Sequence, residues 1–355
     1  MSLIPVSVLT GFLGSGKTTL LNALLKDPAL GETAVLINEF GEVAIDHLLV
    51  RESNEDITIL NSGCLCCTVR GDLVTAMRDL FLKRVRGEVP EFQRMIIETT
   101  GLADPAPILH TLMTDPVVSS RYKLDGIVTT IDAVHAMRQL DSQKECVKQV
   151  AVADRIILTK LDLADPTETE RLRARLHQLN PGAPIHVASN GQIAVDYVLN
   201  AGLFNPGSKH PDVARWLNEE AYPNHHHEHD HAHGHALDMG EHGHRHGLDV
   251  NRHDAEITAF VVTYDQPVSW EALASGLELL ASTNGERLLR IKGIVNVADS
   301  ERPLAIHGVQ HLFHAPSELP SWPDGDSRQT RLVFITRGLS REDVTGLLNA
   351  VVGQN

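Results

Sequence analysis

The run Gly11-Phe12-Leu13-Gly14-Ser15-Gly16-Lys17-Thr18 has the types and spacing of a phosphate cradle, G-x-x-x-x-G-K-T, and Thr19 extends it. Glycines let the backbone wrap until several N–H groups point at one cluster of phosphate oxygens. A helix opening at Lys17 adds the positive end of its dipole. Lys17 then reaches the β- and γ-phosphates, and the Thr18 hydroxyl ligates Mg²⁺. An apolar run, Ile4–Thr10, precedes the motif and a helical pattern, Lys17–Lys26, follows it, which is the context the motif requires.

Three further clusters bear on a nucleotide. Thr159-Lys160-Leu161-Asp162 closes the apolar run Arg155–Thr159. At such a place the Asp162 carboxylate accepts two hydrogen bonds from the guanine edge, which adenine lacks, while Lys160 packs along the base. The same tetrapeptide also suits an ordinary exposed Lys and Asp after a strand. Ala188-Ser189-Asn190, after the next apolar run, is the place for another base-contacting loop. Met95-Ile96-Ile97-Glu98-Thr99-Thr100-Gly101 ends a buried run in a carboxylate and a turn glycine. Glu98 is placed to hold Mg²⁺ or position the attacking water, and Gly101 to give its N–H to the γ-phosphate. Asp132 is another strand-end carboxylate.

The second chemistry is that of soft metals. Of four cysteines, Cys64, Cys66 and Cys67 fall within four positions, and ten of the 20 histidines lie between His225 and His246. Cys64 and Cys66 share a side if the chain is extended or turning, and Cys67 joins them if a helix begins there. Three thiolates suit Zn²⁺ or another borderline metal and leave a tetrahedral position open for exchange. A buried structural trio or a redox pair are the plainer alternatives. Glu39 and Glu42, in Asn38-Glu39-Phe40-Gly41-Glu42, could add an oxygen ligand or sense the γ-phosphate; a solvated acidic loop is the alternative. The histidine tract reads as a metal-collecting arm on a solvated linker.

These residues must be positioned by alternating strands and helices. Apolar runs at Ile4–Thr10, Ala34–Asn38, Asp56–Leu60, Met95–Glu98, Gly126–Ile131, Arg155–Thr159 and Ile185–Ala188 alternate with amphipathic stretches such as Lys17–Lys26, Asp72–Arg84 and Glu168–Leu179. That order predicts an α/β fold, a mostly parallel sheet covered by helices on both faces. After a Pro-, Gly- and His-rich connection, strands are predicted at Glu256–Tyr264, Glu286–Asn296, Pro303–Phe313 and Arg331–Thr336. Helices are predicted at Trp270–Ala281 and Ser340–Val351, the latter capped by Ser340. The expected division is residues 1–204, a linker 205–254, and a small α+β domain 255–355.

Composition bounds the partners. The 355 residues carry a formal charge of −15, with 42% hydrophobic and 22% charged residues. That balance is globular and opposes a general nucleic-acid or anionic-membrane binder. No apolar run is long enough to span a bilayer, no secretory signal opens the chain, and clustered reduced thiols fit a cytoplasmic protein.

Taken together, GFLGSGKTT at Gly11–Thr19, NEFGE at Asn38–Glu42, GCLCC at Gly63–Cys67, ETTG at Glu98–Gly101 and TKLD at Thr159–Asp162 resemble the CobW-like GTPases. These are relatives of the urease and hydrogenase nickel-insertion GTPases. The His-rich connector and segments such as LLRIKG at Leu288–Gly293 and RLVFITRG at Arg331–Gly338 extend the resemblance over the whole chain. It implies a P-loop GTPase that binds GTP, Mg²⁺ and Zn²⁺ (or Co²⁺ or Ni²⁺) and passes its metal to a client apo-metalloprotein, as a monomer or a metal- or nucleotide-dependent homodimer. It implies a metal site at Cys64, Cys66 and Cys67, coupled to the nucleotide through the segments bearing Glu39, Glu42 and Glu98. Two positions depart from the family pattern: Thr159 stands for the usual Asn of the base motif, and Ile37 where some members carry an extra Glu. Cobalt delivery for cobalamin or nitrile hydratase is the family's other role. A metal buffer with little turnover and an ATP-dependent P-loop kinase are the competing classes; Asp162 opposes the kinase.

Overall fold

The computed structural model describes residues 3–38, 57–59, 65–69, 73–201, 217, 257–322 and 326–353. The N-terminal strands are β1 (Ile4–Gly11), β2 (Thr33–Asn38), β3 (Ile57–Ile59), β4 (Leu65–Val69), β5 (Arg94–Thr99), β6 (Tyr122–Asp132), β7 (Arg155–Thr159) and β8 (Ile185–Val187). They form one sheet in the order β3-β4-β2-β5-β1-β6-β7-β8. Every neighbouring pair is parallel except β3–β4. The helices are α1 (Lys17–Leu24), α2 (Leu73–Val85), α3 (Ala106–Thr114), α4 (Pro116–Ser119), α5 (Ala136–Ser142), α6 (Lys144–Ala151) and α7 (Pro166–Leu179).

The apolar runs are strands because both of their faces are covered. Alternate residues go to opposite sides. Met95 and Ile97 pack with Met77, Leu80, Leu109 and Leu112, while Ile96 packs with Leu20, Leu21 and Leu24. β6 begins at Tyr122, four residues before the expected Gly126, because Ile4, Pro5 and Val6 of β1 pair with Tyr122, Lys123 and Leu124; Lys123 and Asp125 hide that start by breaking the apolar run.

The C-terminal part is antiparallel: β9 (Ile257–Tyr264), β10 (Leu288–Val295), β11 (Leu304–Val309), β12 (Leu312–Phe313), β13 (Ser317–Glu318) and β14 (Thr330–Arg337), with α8 (Trp270–Asn284) and α9 (Arg341–Val352). The order is β12-β11-β10-β14-β9, and β13 pairs with β11. The strand expected over Pro303–Phe313 is instead a hairpin, turned at Gln310 with φ 55°. Ser340 caps α9 in a reciprocal capping box with Asp343. Both helices cover one face through Leu273, Leu277, Val344 and Leu348.

The other face of this sheet meets the N-terminal part, where Leu289, Ala305 and Val333 pack with Ala151. At this junction Asp154 is buried between Arg290 and Lys292, with Lys292 Nζ 2.8 Å away. Asp154 Oδ2 accepts from the N–H of Ile127, and the Arg290 guanidinium donates to Val152 O. Val309 reaches further, into the core that holds Ile108 and Leu109 of α3. No helix among the described residues is long and apolar enough to cross a membrane.

Candidate functional site

The strand order places β1 between β5 and β6, so Gly11, Glu98 and Asp132 leave the sheet at one edge. The phosphate loop there has φ 143° at Gly11, 75° at Gly14 and 89° at Gly16. At Gly11 a Cβ would lie 2.4 Å from the Thr130 carbonyl, so that position also needs the missing side chain. Gly16 opens α1 without a side-chain cap, leaving the helix N-terminus to other partners. Lys17 is buried and folds back over the loop, with Nζ donating to Gly11 O at 2.8 Å and Phe12 O at 3.2 Å.

Thr18 and Glu98 meet: the Thr18 hydroxyl donates to Glu98 Oε1 at 2.6 Å. A hydroxyl and a carboxylate oxygen brought together beside the phosphate loop suit a hard divalent cation, so these two residues fit Mg²⁺. Gly101 lies against the loop itself. A Cβ on it would be 2.5 Å from Leu13 Cα and 2.6 Å from Leu13 N, both backbone atoms that cannot swing aside. Gly101→Ala is therefore expected to cost about 1–3 kcal/mol of loop strain. The expected readout is a roughly tenfold fall in GTP kcat/KM, with the thermal midpoint lowered by a few degrees. Unchanged kinetics would show that Leu13 yields freely.

The residues that end and follow β7 are tied to the same loop. The Thr159 hydroxyl donates to Ser15 O at 2.9 Å, and Lys160 Nζ donates to Gly14 O at 2.7 Å. Lys160 sits at φ 58°, which turns its side chain back along the loop. Asp132 holds it there, with Oδ2 2.7 Å from Lys160 Nζ and 3.0 Å from His135 Nδ1. Burial pushes the Asp132 carboxyl up, but hydrogen bonds from Lys160, His135 and the Val134 N–H outweigh it and keep it below its usual range. Asp162 is exposed on the turn that follows. Asn190 is exposed at φ 51° in a turn closed by Ser189 and Gln192, and a Cβ on the neighbouring Gly191 would lie 3.1 Å from Thr19 Cγ2.

Several supports were not singled out from the sequence. The Thr99 hydroxyl donates to Thr10 Oγ1 at 2.9 Å, and Ser15 and Thr130 share a hydrogen bond of 2.7 Å under the loop. Gln149, fully buried on α6, donates to Gly101 O and Ala103 O. Strand threonines and a helical glutamine carry no spacing signal; only the tertiary fold gathers them.

The cysteines fall elsewhere on the sheet. Cys66 and Cys67 belong to β4, with backbones opposite Val35 and Leu36 of β2. The chain remains a strand to Val69, and α2 starts only at Leu73, so no helix begins at Cys67. Cys64, Glu39, Glu42 and the tract from His225 to His246 lie outside the described residues. Among the described residues no group of three or more His, Cys, Asp or Glu side chains could hold a metal ion.

Residues 5–187 match the model of the CobW/HypB/UreG nucleotide-binding domain, and residues 257–352 that of the cobalamin synthesis protein cobW C-terminal domain. Zinc chaperone YjiA of Escherichia coli is 34% identical over 347 residues, 97% of each chain. Zinc-regulated GTPase metalloprotein activator 1 of Saccharomyces cerevisiae is 26% identical, covering 97% of this chain and 82% of the yeast protein. The crystal structure of Zn(II)-bound YjiA GTPase from E. coli superposes over 99% of both chains with a TM-score of 0.71 at 32% identity.

Proposed function

Because the chain belongs to the CobW/HypB/UreG family and carries the CobW C-terminal domain, we infer that it works as a P-loop GTPase of the metallochaperone kind. We propose that it binds Zn²⁺ at Cys64, Cys66 and Cys67 and transfers it to a client apo-metalloprotein in the cytoplasm. On this reading Glu42 adds an oxygen ligand, and residues 1–204, 205–254 and 255–355 act as GTPase domain, collecting arm and client-facing domain. The observation that carries the proposal is a register. Cys66 and Cys67 stand opposite Val35 and Leu36, which in turn stand opposite Ile96 and Ile97 on β5. The cysteine strand is thus two strands, about 10 Å, from the strand that bears Glu98. Cys66 is level with Ser7, since Val35 pairs with both Cys66 and Ile96 and Ile96 pairs in turn with Ser7, and so sits below the phosphate loop rather than in it. A bound metal would therefore sense the nucleotide through β2 and the segment following Asn38, not by touching phosphate.

Hydrolysis follows from the loop. Water attacks the γ-phosphorus, the bond to the β–γ bridging oxygen breaks, and GDP and phosphate leave. Lys17 and the loop N–H groups carry the charge that develops on the transferring group. Mg²⁺, when bound, neutralises charge on the β- and γ-phosphate oxygens; Thr18 and Glu98 are the residues that would hold it. Asp162 and Asn190 read the guanine, with Thr159 and Lys160 fixing that wall against Ser15 and Gly14.

The test is steady-state GTP hydrolysis with Mg²⁺ across buffered Zn²⁺, Co²⁺ and Ni²⁺, together with chelator competition. Cys66→Ser is expected to weaken the tight Zn²⁺ site by more than about 100-fold and to abolish any saturable metal effect on the rate. Wild-type metal affinity in this variant would move the site away from the cysteines.

A further inference from the structure

The segment from Gly101 to Asp104 leaves the strand bearing Glu98 and enters α3, and it is gripped from two sides. On α6, Gln149 Nε2 donates to Gly101 O at 3.4 Å and Ala103 O at 3.0 Å. Its neighbour Lys148 donates to Asp104 Oδ2 at 2.8 Å. Across the domain junction, Gln310 Nε2 reaches the same Asp104 oxygen at 3.4 Å. Gln310 is the turn residue of the β11–β12 hairpin, and Val309 beside it is buried in the core under α3. Asp104 Oδ1 meanwhile accepts from the Ala106 N–H at the start of α3. One short segment therefore touches the phosphate loop at Gly101, α6 at two carbonyls, and the C-terminal sheet at Asp104.

We infer that Gln149 and Gln310 are positioning residues for GTP hydrolysis, so that the C-terminal domain sets the turnover rate by holding Gly101–Asp104 against the phosphate loop. Neither residue touches the nucleotide in this assignment. Gln149 fixes the carbonyls on either side of Leu102, and so anchors the turn that carries the Gly101 N–H. Gln310 shares the load on Asp104 with Lys148, so a shift of the hairpin changes the balance of forces on the loop. The coupling is reciprocal: if hairpin docking favours the loop position that serves the γ-phosphate, bound GTP must favour hairpin docking over bound GDP by the same factor. A client or metal that moves the C-terminal domain would then alter turnover without reaching the nucleotide. The inference rests on the GTPase reading and adds the residues that carry the signal.

The experiment uses the full-length protein and compares wild type, Gln310→Ala, Gln310→Lys, Gln310→Glu and Gln149→Met. Each is assayed for kcat and KM with GTP, and for affinity towards GDP and a non-hydrolysable GTP analogue. Gln310→Ala is expected to lower kcat by about 5-fold or more and Gln149→Met by more, with GDP affinity within about 2-fold of wild type. Gln310→Lys, which keeps a donor for Asp104, is expected to retain kcat. Gln310→Glu, which sets two carboxylates together, is expected to fall below Gln310→Ala. A purely structural role would lower folded fraction and both nucleotide affinities together and would not follow the donor. Wild-type kcat in both Gln310→Ala and Gln149→Met, or equal losses in GDP and GTP-analogue affinity, overturns the inference while leaving the GTPase reading intact. A wild-type chain that fails to hydrolyse GTP overturns both.

Discussion

Lys17→Ala is expected to lower GTP turnover by at least about 10²–10³-fold, the scale set by removing a charged donor aimed at developing charge. Lys160 is the next ammonium on the loop, and it is committed to Gly14 O and Asp132. In the structure Lys17 Nζ bridges two carbonyls at the start of the loop, so its loss also removes a brace across Gly11 and Phe12. A burst-free phosphate-release assay at saturating GTP separates the two effects. If binding of a GTP analogue is preserved while kcat collapses, the ammonium acts in the transition state. If binding collapses too, the brace matters as well. Turnover within tenfold of wild type would remove Lys17 from the chemistry.

Asp154→Ala is expected to destabilise the protein by about 3–5 kcal/mol, a fall of roughly 10 °C in thermal midpoint. The substitution leaves the buried Arg290 and Lys292 charges without their counter-ion, and the Ile127 N–H without its acceptor. The expected control is the triple change Asp154→Ala, Arg290→Met, Lys292→Met, which recovers much of the loss because the three charges are removed together. The same residue makes the junction acid-sensitive. Burial raises the Asp154 carboxyl, but the Arg290 and Lys292 charges win and hold it far below the usual carboxylate range. A carboxyl depressed in the folded state confers stability that is complete above about pH 4 and is lost as pH falls further. Acid unfolding monitored by tryptophan fluorescence should therefore shift in Asp154→Asn, with a flatter dependence below pH 4. Equal acid profiles would mean that another group governs the junction.

The phosphate loop, the Glu98 strand end and the TKLD segment were legible because each couples a fixed residue pattern to a strand–turn context. The parallel sheet was legible too, since strands buried on both faces, such as Met95–Ile97, read as unbroken apolar runs. Two things were not. β3 runs antiparallel at the sheet edge, and a three-residue strand leaves too little periodicity to reveal its direction. Cys67 allowed either a strand or a helix start, and only pairing with β2 decides for the strand. The Asp154–Arg290–Lys292 trio was invisible for a different reason. Charges that far apart in sequence ordinarily signal exposed surface, and only docking of the two sheets buries them.

That separation has a consequence during synthesis. Arg290 follows Asp154 by 136 residues, so at about 5–20 residues per second the ribosome exposes the carboxylate for roughly 7–27 s before its partner has been made. Through that interval Asp154 Oδ2 can accept from the Ile127 N–H, while Oδ1, the oxygen that later meets Arg290 and Lys292, has water for a partner. The order of emergence makes the N-terminal sheet a template and the C-terminal sheet the piece that seats on it. A chain truncated before Arg290 would be held in that waiting state permanently, which makes it a natural target for quality control.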